Sequence, residues 1–526
     1  MCKRVNRIGI LISLLFLCII SNAQYPAGLG PADKFEHLLT IIDRTYVDSV
    51  NDEKLVESAI RAMLKKLDPH SIYIPKSEVD AMNEPLKGNF EGIGIQFNIL
   101  HDTITVVSAI SGGPSERLGI MAGDKIVKVE DEVVAGTGIT NQGVIDRLRG
   151  DKGTVVNVSI KRRGIRKLIE FEITRDKIPI FSVDASYMVT PDIGYVKLNR
   201  FASTTLNEFR KAVDTLEMTG MKSLILDLRG NGGGYLRTAI NIADEFLSSR
   251  NLIVYTKGRS YPKNERFATS RGEFESGKLI VLIDGGSASA SEIVTGAIQD
   301  HDRGLIIGRR SFGKGLVQKP FNLPDGSMVR ITIQRYYTPS GRCIQKPYEK
   351  YKQFNINEFF SADSIKFPDS LKYKTEHNKR IVYGGGGIMP DIFVPMDTSM
   401  NSEFYRDVIR KGIFNEFTLT WLDRHREEIK DSYPDLQSFI NNFNIDDNIK
   451  SEFLGLCKKK KLEPSDADMQ ASWYHMETRL KALLARDLWT TSAYYEIMNK
   501  IDADFQQAIT SMHDDTFEKL HLAENF

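Results

Sequence analysis

The sequence predicts a multidomain α+β protein built from four successive blocks. Its 526 residues are 41% hydrophobic and 26% charged, which is typical of globular domains and unlike disordered or collagen-like chains. Apolar residues recur at helical spacing near both ends of the chain, whereas the middle contains short glycine-punctuated strands and then alternating strands and helices. We therefore expect an N-terminal helical segment, a β-rich module, an α/β core and a C-terminal helical domain.

The first 23 residues are typical of a secretory signal peptide. Three basic residues precede an apolar run at 8–20, and small residues at 21–23 occupy cleavage-type positions. As a helix this run would span roughly 20 Å, less than the roughly 30 Å of bilayer hydrocarbon. We expect residues 1–23 to be removed and the rest to be exported to the periplasm, soluble or loosely membrane-associated. A retained N-terminal anchor is the alternative.

The domain boundaries follow from changes in the hydrophobic pattern. Residues 33–87 have helical periodicity, 88–176 contain short strands, 177–395 alternate strands with helices, and 400–526 are helical by pattern. Alternating strands and helices predict a parallel sheet, in which ligands bind beyond the carboxyl ends of the strands. We assign no chemistry to the tail after residue 400.

Charge and cysteine content exclude several functional classes. Lys and Arg number 70 against 69 Asp and Glu, so the net charge of +1 offers no general footprint for nucleic acid. Four cysteines are too few for a disulfide framework; signal cleavage leaves Cys343 and Cys457, whose pairing is open. Neither a His-Glu-x-x-His stretch nor paired cysteine ligands occur, so no metal site is predicted.

A cluster of small residues at 284–292 follows the apolar strand predicted at 279–283 and precedes a predicted helix. Small residues at such a turn can expose a serine hydroxyl while free amides of the first helical turn point at the same place. This geometry suits a nucleophile with an oxyanion site. Ordinary helix capping by Ser287, Ser289 or Ser291 is the alternative.

Two further segments follow predicted strands of the same block. Residues 308–315 nearly match a phosphate-binding loop, but Gly315 stands where a magnesium-binding hydroxyl is needed, so Lys314 is instead a candidate general base. Glycine amides at 227–234 can form an anion-binding concavity.

His301 lies about three helical turns from the serine cluster, and a histidine-dependent hydrolase remains an alternative.

Together these motifs resemble the carboxy-terminal processing, or tail-specific, serine proteases. The resemblance runs from about Phe35 to Pro395 and rests on Leu67–Ser71, Gly92–Ile95, Asp227–Gly234, Ser287–Glu292, Gln299–Gly304, Phe312–Gln318 and Thr338–Arg342. The family uses a Ser-Lys dyad supported by a Gln, with the lysine 25 and the glutamine 29 positions after the serine. This spacing selects Ser289, Lys314 and Gln318. One departure is Gly232, where many relatives have proline.

The resemblance implies roles for the residues of the catalytic site. Ser289 would be the nucleophile, Lys314 the general base, and Gln318 the residue that orients the lysine amine. Only roughly 0.04% of an ordinary lysine is neutral at pH 7, so burial would have to lower its pKa to about 7.5. The amides of Gly233 and Ala290 are candidates for stabilising the oxyanion.

The resemblance also implies a protease core of the tail-specific, crotonase-like type and a PDZ domain that captures a substrate carboxyl terminus. The amides around Ile93, Gly94 and Ile95 would hold the carboxylate while the following strand pairs with the peptide. Ile145 and Leu148 either line the apolar pocket or belong to the module core.

The implied substrates are unfolded or tail-exposed exported proteins with apolar carboxyl termini. No cofactor, metal or nucleic acid is implied. An adaptor protein and a homo-oligomer stay open as partners. A noncatalytic PDZ scaffold that binds peptides with an inactive Ser-Lys site is the alternative from a different functional class.

Overall fold

The computed structural model describes residues 30–351, 356–365, 367–400 and 402–522, so the predicted signal peptide lies outside the described residues. The chain divides into two compact units, Met1–Tyr73 and Ile74–Phe526. Within the described ranges, no helix combines the length and apolarity needed to cross a membrane.

The described part of the first unit consists of two helices, α1 (Pro31–Thr45) and α2 (Asp52–Leu67). The Asn51 side chain caps α2 by accepting the Lys54 N–H at 2.9 Å, which satisfies one of the amides that a helix leaves unpaired at its start. A short strand, β1 (Ile72–Ile74), spans the boundary between the units.

The second unit begins with a helix and the β-rich module. Its elements are α3 (Val79–Lys87), β2 (Asn89–Gly92), β3 (Ile95–Leu100), β4 (Thr103–Ala109), α4 (Pro114–Arg117), β5 (Lys125–Val129), β6 (Glu132–Val133), α5 (Asn141–Leu148), β7 (Val155–Lys161), β8 (Ile169–Thr174) and β9 (Asp176–Pro179). An antiparallel sheet has the order β3-β4-β5-β7-β8, with β6 beside β5. Strands β2 and β9, where the chain enters and leaves the module, pair antiparallel.

The α/β core follows. Its elements are β10 (Val183–Met188), β11 (Ile193–Leu198), α6 (Thr205–Met218), β12 (Ser223–Asp227), α7 (Leu236–Asp244), β13 (Leu252–Lys257), β14 (Asn264–Phe267), β15 (Leu279–Ile283), α8 (Ala290–Asp300), β16 (Leu305–Gly308), β17 (Leu316–Asn322), β18 (Met328–Tyr337), α9 (Tyr348–Tyr351), β19 (Lys372–Lys374), β20 (Ile381–Tyr383) and β21 (Ile392–Phe393). Strands β19 and β20 pair antiparallel with each other.

The main sheet of the core has the order β10-β11-β12-β15-β16-β21. Strand β10 is antiparallel to β11, whereas the other neighbours are parallel. All five residues of β15 are fully buried, as expected for a parallel strand that is covered on both faces. Strands β12, β15 and β16 therefore direct the loops that follow them to one edge of the sheet.

The C-terminal domain is entirely helical in the described residues. It contains α10 (Glu403–Arg410), α11 (Ile413–Ser432), α12 (Leu436–Asn442), α13 (Asp447–Lys459), α14 (Asp466–Leu488), α15 (Thr491–Met498), α16 (Ala503–His513) and α17 (Thr516–Lys519). Helices α10 to α15 share an aromatic-rich core. Phe505, Ala508 and Met512 of α16 instead pack against the main sheet of the α/β core. The architecture has the predicted multidomain α+β class.

Candidate functional site

Ser289 occupies the sharp turn between β15 and α8. Its backbone has φ 56° and ψ −108°, a conformation that is sterically unfavourable for a residue with a side chain. A strained serine at a strand-to-helix turn is the arrangement in which a nucleophilic hydroxyl is presented above a sheet. The turn predicted from the small residues is therefore present, with the serine selected by spacing at its apex.

The other two serines of the cluster have structural hydrogen bonds. The Ser287 hydroxyl donates to the Leu228 carbonyl oxygen at 2.8 Å, and the Ser291 hydroxyl donates to the Asn231 carbonyl oxygen at 2.8 Å. Both serines are fully buried. They attach the serine turn to the neighbouring glycine loop (residues 228–234), whereas Ser289, the N-cap of α8, is only half-buried.

Lys314 and Gln318 line the same cleft as Ser289, a cavity of about 390 Å³ that also includes Gly233 and Ala290. The Lys314 Nζ atom donates to Gln318 Oε1 at 3.0 Å. Lys314 lies two residues before β17 and Gln318 lies within that strand, where the register shifts between Val317 and Gln318. The irregularity aims the glutamine at the lysine amine.

The glycine loop touches the serine turn backbone to backbone. Gly233 has φ 101°, and a Cβ placed there would lie 2.9 Å from both the Ala290 nitrogen and the Ser289 Cβ. Only glycine permits this approach. The Gly233 N–H donates to Asn231 Oδ1 at 2.9 Å, whereas Ala290 opens α8, where first-turn amides lack partners within the helix.

Glu292 connects the turn of residues 284–289, the serine turn, with the loop of residues 309–315, the lysine loop. The sequence did not predict this role. Its carboxylate accepts the Ser289 N–H at 2.8 Å, the Ser311 hydroxyl at 2.6 Å, the Gly313 N–H at 2.7 Å and the Lys314 N–H at 2.9 Å. Burial raises the pKa of Glu292, and these donors oppose that rise. The Ser-x-x-Glu spacing of a capping box was the available signal.

Tyr336 of β18 is a second residue that the sequence analysis missed. Its hydroxyl lies 3.1 Å from the Ser289 carbonyl oxygen and 2.8 Å from the Lys314 carbonyl oxygen. The side chain is 1% exposed, so this buried hydroxyl, with its single donor hydrogen, lies between the serine turn and the lysine loop. No sequence signal connects this tyrosine with residues that lie on other elements.

In the β-rich module, β3 is the edge strand of its sheet. Ile93, Gly94 and Ile95 are buried where β3 begins. Leu148 belongs to the module core, whereas Ile145 on the same helix is half-buried. An edge strand offers backbone groups to an added peptide strand, and Ile145 is the more exposed of the two predicted pocket residues.

His301 lies at the far end of α8 from Ser289. Its Nε2 atom is 2.7 Å from the Leu252 carbonyl oxygen. Helix α8 contains 11 residues, which corresponds to roughly 16 Å of axial rise. The structure therefore separates His301 from the serine turn instead of bringing them together.

Comparisons with family models cover most of the chain. Peptidase family S41 matches residues 192–350, and a PDZ domain matches residues 92–173. The N-terminal domain of the activating protease CtpB matches residues 21–78. A family of unknown function (DUF8443) matches residues 404–490.

Relatives that match about two thirds of the chain have consistent names. A carboxy-terminal-processing protease of Bartonella bacilliformis is 40% identical over 382 residues, covering 69% of this chain and 83% of the relative. The carboxy-terminal processing protease CtpB of Bacillus subtilis is 34% identical, covering 65% of this chain and 71% of its own. A solved photosystem II D1 C-terminal processing protease is 28% identical, with a TM-score of 0.36 and coverage of 69% and 92% respectively.

Proposed function

This chain belongs to the carboxy-terminal processing serine proteases of peptidase family S41, and from that membership we propose that it cleaves exported proteins near their carboxyl termini with a Ser289–Lys314 dyad. The observation that carries the proposal is the shared cleft of Ser289, Lys314 and Gln318, in which the lysine amine donates to the glutamine.

In the proposed reaction, Lys314 in its neutral form takes the proton of the Ser289 hydroxyl as the serine oxygen attacks the scissile carbonyl. The protonated amine then delivers that proton to the leaving nitrogen, and the peptide beyond the scissile bond departs. Water hydrolyses the resulting acyl-enzyme with the same lysine as base. Gln318 holds the amine in the orientation that this transfer needs.

The oxyanion of the tetrahedral intermediate needs donors near the Ser289 hydroxyl. The Ala290 amide suits this role because it opens α8 and lines the cleft. The Gly233 amide lies against the same turn but donates to Asn231 Oδ1. We propose that Gly233 contributes once that hydrogen bond is exchanged for the oxyanion.

Substrate selection is assigned to the PDZ domain. A peptide added to β3 would place its carboxylate near the amides of residues 93–95 and its last apolar side chain near Ile145. Export rests on the N-terminal sequence, which has the order of a signal peptide. The proposed substrates are therefore exported proteins with accessible, apolar carboxyl-terminal tails.

The test uses the chain from Gln24 onward and an unfolded substrate that ends in a free apolar carboxyl terminus. We expect cleavage by the parent protein and loss of at least about 1,000-fold in kcat for both Ser289→Ala and Lys314→Ala. Lys319→Ala, at an exposed lysine of β17 beside Gln318, is the matched control and should retain activity. Full activity of Lys314→Ala would contradict the dyad, and peptide binding without any cleavage would favour a scaffold.

A further inference from the structure

A buried ionic cluster lies at the carboxyl end of β12, and its residues are outside the set that lines the cleft. Asp227 is fully buried and accepts the Lys197 amine at 3.0 Å, the Tyr195 hydroxyl at 2.7 Å and the Arg229 Nη2 at 2.6 Å. Arg229 lies at the root of the glycine loop, four residues before Gly233. The cluster therefore fixes the point from which that loop departs.

The C-terminal domain supplies the next carboxylate of the cluster. Asp504, in the first turn of α16, accepts Arg229 Nη1 at 3.1 Å through Oδ2. The same carboxylate accepts Arg309 through both oxygens, with Nη1 to Oδ1 and Nη2 to Oδ2 each at 2.8 Å. Its side chain is 4% exposed. Asp502 adds a contact with Arg229 Nη1 at 2.6 Å.

Arg309 begins the second loop of the site. It lies five residues before Lys314 and directly after β16. Both arginines lie outside the set of residues that line the cleft. Asp504 therefore joins the roots of two loops, the one that contains Gly233 and the one that contains Lys314, without touching the reacting groups.

Attachment of α16 does not depend on this carboxylate. Phe505, Ala508 and Met512 of the same helix already pack against the buried face of the main sheet, and apolar burial is the larger stabilising contribution. Buried ion pairs add little net stability because desolvation opposes the Coulomb attraction, whereas they can fix one arrangement of the groups around them. A bidentate Arg-carboxylate pair restricts geometry particularly well.

We propose that Asp504 is a positioning residue of the protease: it holds the glycine loop and the lysine loop at the separation that catalysis needs, so the C-terminal domain completes the active site of the core. This inference rests on the proposed Ser289–Lys314 function. It gives a role to a region whose sequence contains no catalytic motif.

The test compares Asp504→Asn with Asp515→Asn in the chain from Gln24 onward. Asp515 lies on the same terminal segment, is exposed and pairs with Lys519, so it controls for loss of a charge in this region. We expect Asp504→Asn to lower kcat by about 10- to 100-fold with KM changed less than about twofold, since small misplacement of catalytic groups is costly. Asp515→Asn should match the parent protein.

Two further measurements separate positioning from folding. The rate at which a fluorophosphonate labels Ser289 should fall with kcat in Asp504→Asn, while circular dichroism shows an unchanged folded fraction. Arg309→Lys keeps the charge but loses the bidentate contact, and it should reproduce the loss of kcat. Unchanged kcat and labelling in Asp504→Asn, or losses that follow the unfolded fraction in both variants, would overturn the proposal.

The outcomes also distinguish this inference from the dyad on which it rests. If Ser289→Ala is inactive while Asp504→Asn is normal, only the positioning role fails. If Ser289→Ala retains the parent activity, the dyad fails and the positioning role fails with it.

Discussion

The carboxylate of Glu292, in the first turn of α8, accepts the backbone N–H of Ser289, the N-cap residue of that helix, at 2.8 Å. The same group accepts the backbone N–H of Lys314 at 2.9 Å. One buried carboxylate therefore sets the relative position of two backbone segments that are 25 residues apart in sequence. Each segment carries one member of the proposed dyad.

Replacing Glu292 with Gln should lower kcat by about 10- to 100-fold, because the new amide brings donors to a place where four donors already converge. Steady-state cleavage of the tail substrate measures the effect. Glu428→Gln, at an exposed position of α11, should be neutral. Equal kcat values for the two variants would show that the dyad does not need this carboxylate.

Tyr336→Phe should reduce kcat by about tenfold and the free energy of unfolding by about 1 to 3 kcal/mol, because it removes the buried hydroxyl that lies between the Ser289 and Lys314 carbonyl oxygens. Tyr337→Phe is the matched control on the next residue of β18, since its ring stacks on Tyr255 with centroids 4.7 Å apart. Urea unfolding and peptide cleavage measure the two effects. A larger loss of kcat or of unfolding free energy in Tyr337→Phe than in Tyr336→Phe would contradict the role assigned to Tyr336.

Gly233→Ala should abolish cleavage, because the new Cβ would lie 2.8 Å from the Ala288 carbonyl oxygen and 2.9 Å from the Ala290 nitrogen. Gly232→Ala should be tolerated, since a Cβ there meets no other described atom within 4 Å. Peptide cleavage and fluorophosphonate labelling of Ser289 provide the measurements. If the fluorophosphonate labels Ser289 in Gly233→Ala at the parent rate, the reactivity of Ser289 does not require the close approach of the glycine loop to the serine turn.

The Asp227 carboxylate should contribute to stability in a pH-dependent way. Burial alone would raise its pKa, but Arg229 and Lys197 hold the pKa well below the ordinary 3.8. Its contribution should therefore be complete above pH 3.8 and decrease as the pH falls, by about 1.4 kcal/mol per pH unit. The measurement is the difference in unfolding free energy between the parent and Asp227→Asn as the pH is lowered from above 3.8 to about 3. A constant difference down to about pH 3 would contradict an ionised Asp227 with a depressed pKa.

Ile145→Lys should raise KM for a substrate with an apolar carboxyl terminus by about tenfold or more, because a charge would replace a half-buried apolar side chain of the proposed pocket. Cleavage rates at saturating substrate should change little. Gln142→Lys, at an exposed position of the same helix, is the control. An unchanged KM in Ile145→Lys would place the apolar pocket elsewhere.

The catalytic cleft could be anticipated from sequence because its main parts lie in contiguous motifs at the ends of strands. The spacing between Ser289, Lys314 and Gln318 is a property of the chain itself, and the family matches confirm the resemblance that it suggested. The hydrogen bond between Lys314 and Gln318 agrees with the predicted pairing, while their catalytic roles stay predictions.

The supporting residues were harder to predict because their partners meet only through tertiary packing. Tyr336 contacts residues 47 and 22 positions earlier in the chain. Asp504 contacts Arg229 across 275 positions. An isolated aspartate at the start of a helix reads as an ordinary capping residue, so nothing local distinguishes Asp504 from the many similar residues of the helical tail.

The paired strands β2 and β9 make the PDZ domain an insertion with adjacent ends. Asn89 lies opposite Pro179, and the Ile180 N–H donates to the Gly88 carbonyl oxygen at 2.9 Å. Joining residues 88 and 180 with a short linker would therefore delete the entire domain without stretching the chain. The resulting protein would separate peptide-bond cleavage from recognition of the substrate carboxyl terminus, so that each activity could be measured by itself. Other recognition domains could then be inserted at the same junction.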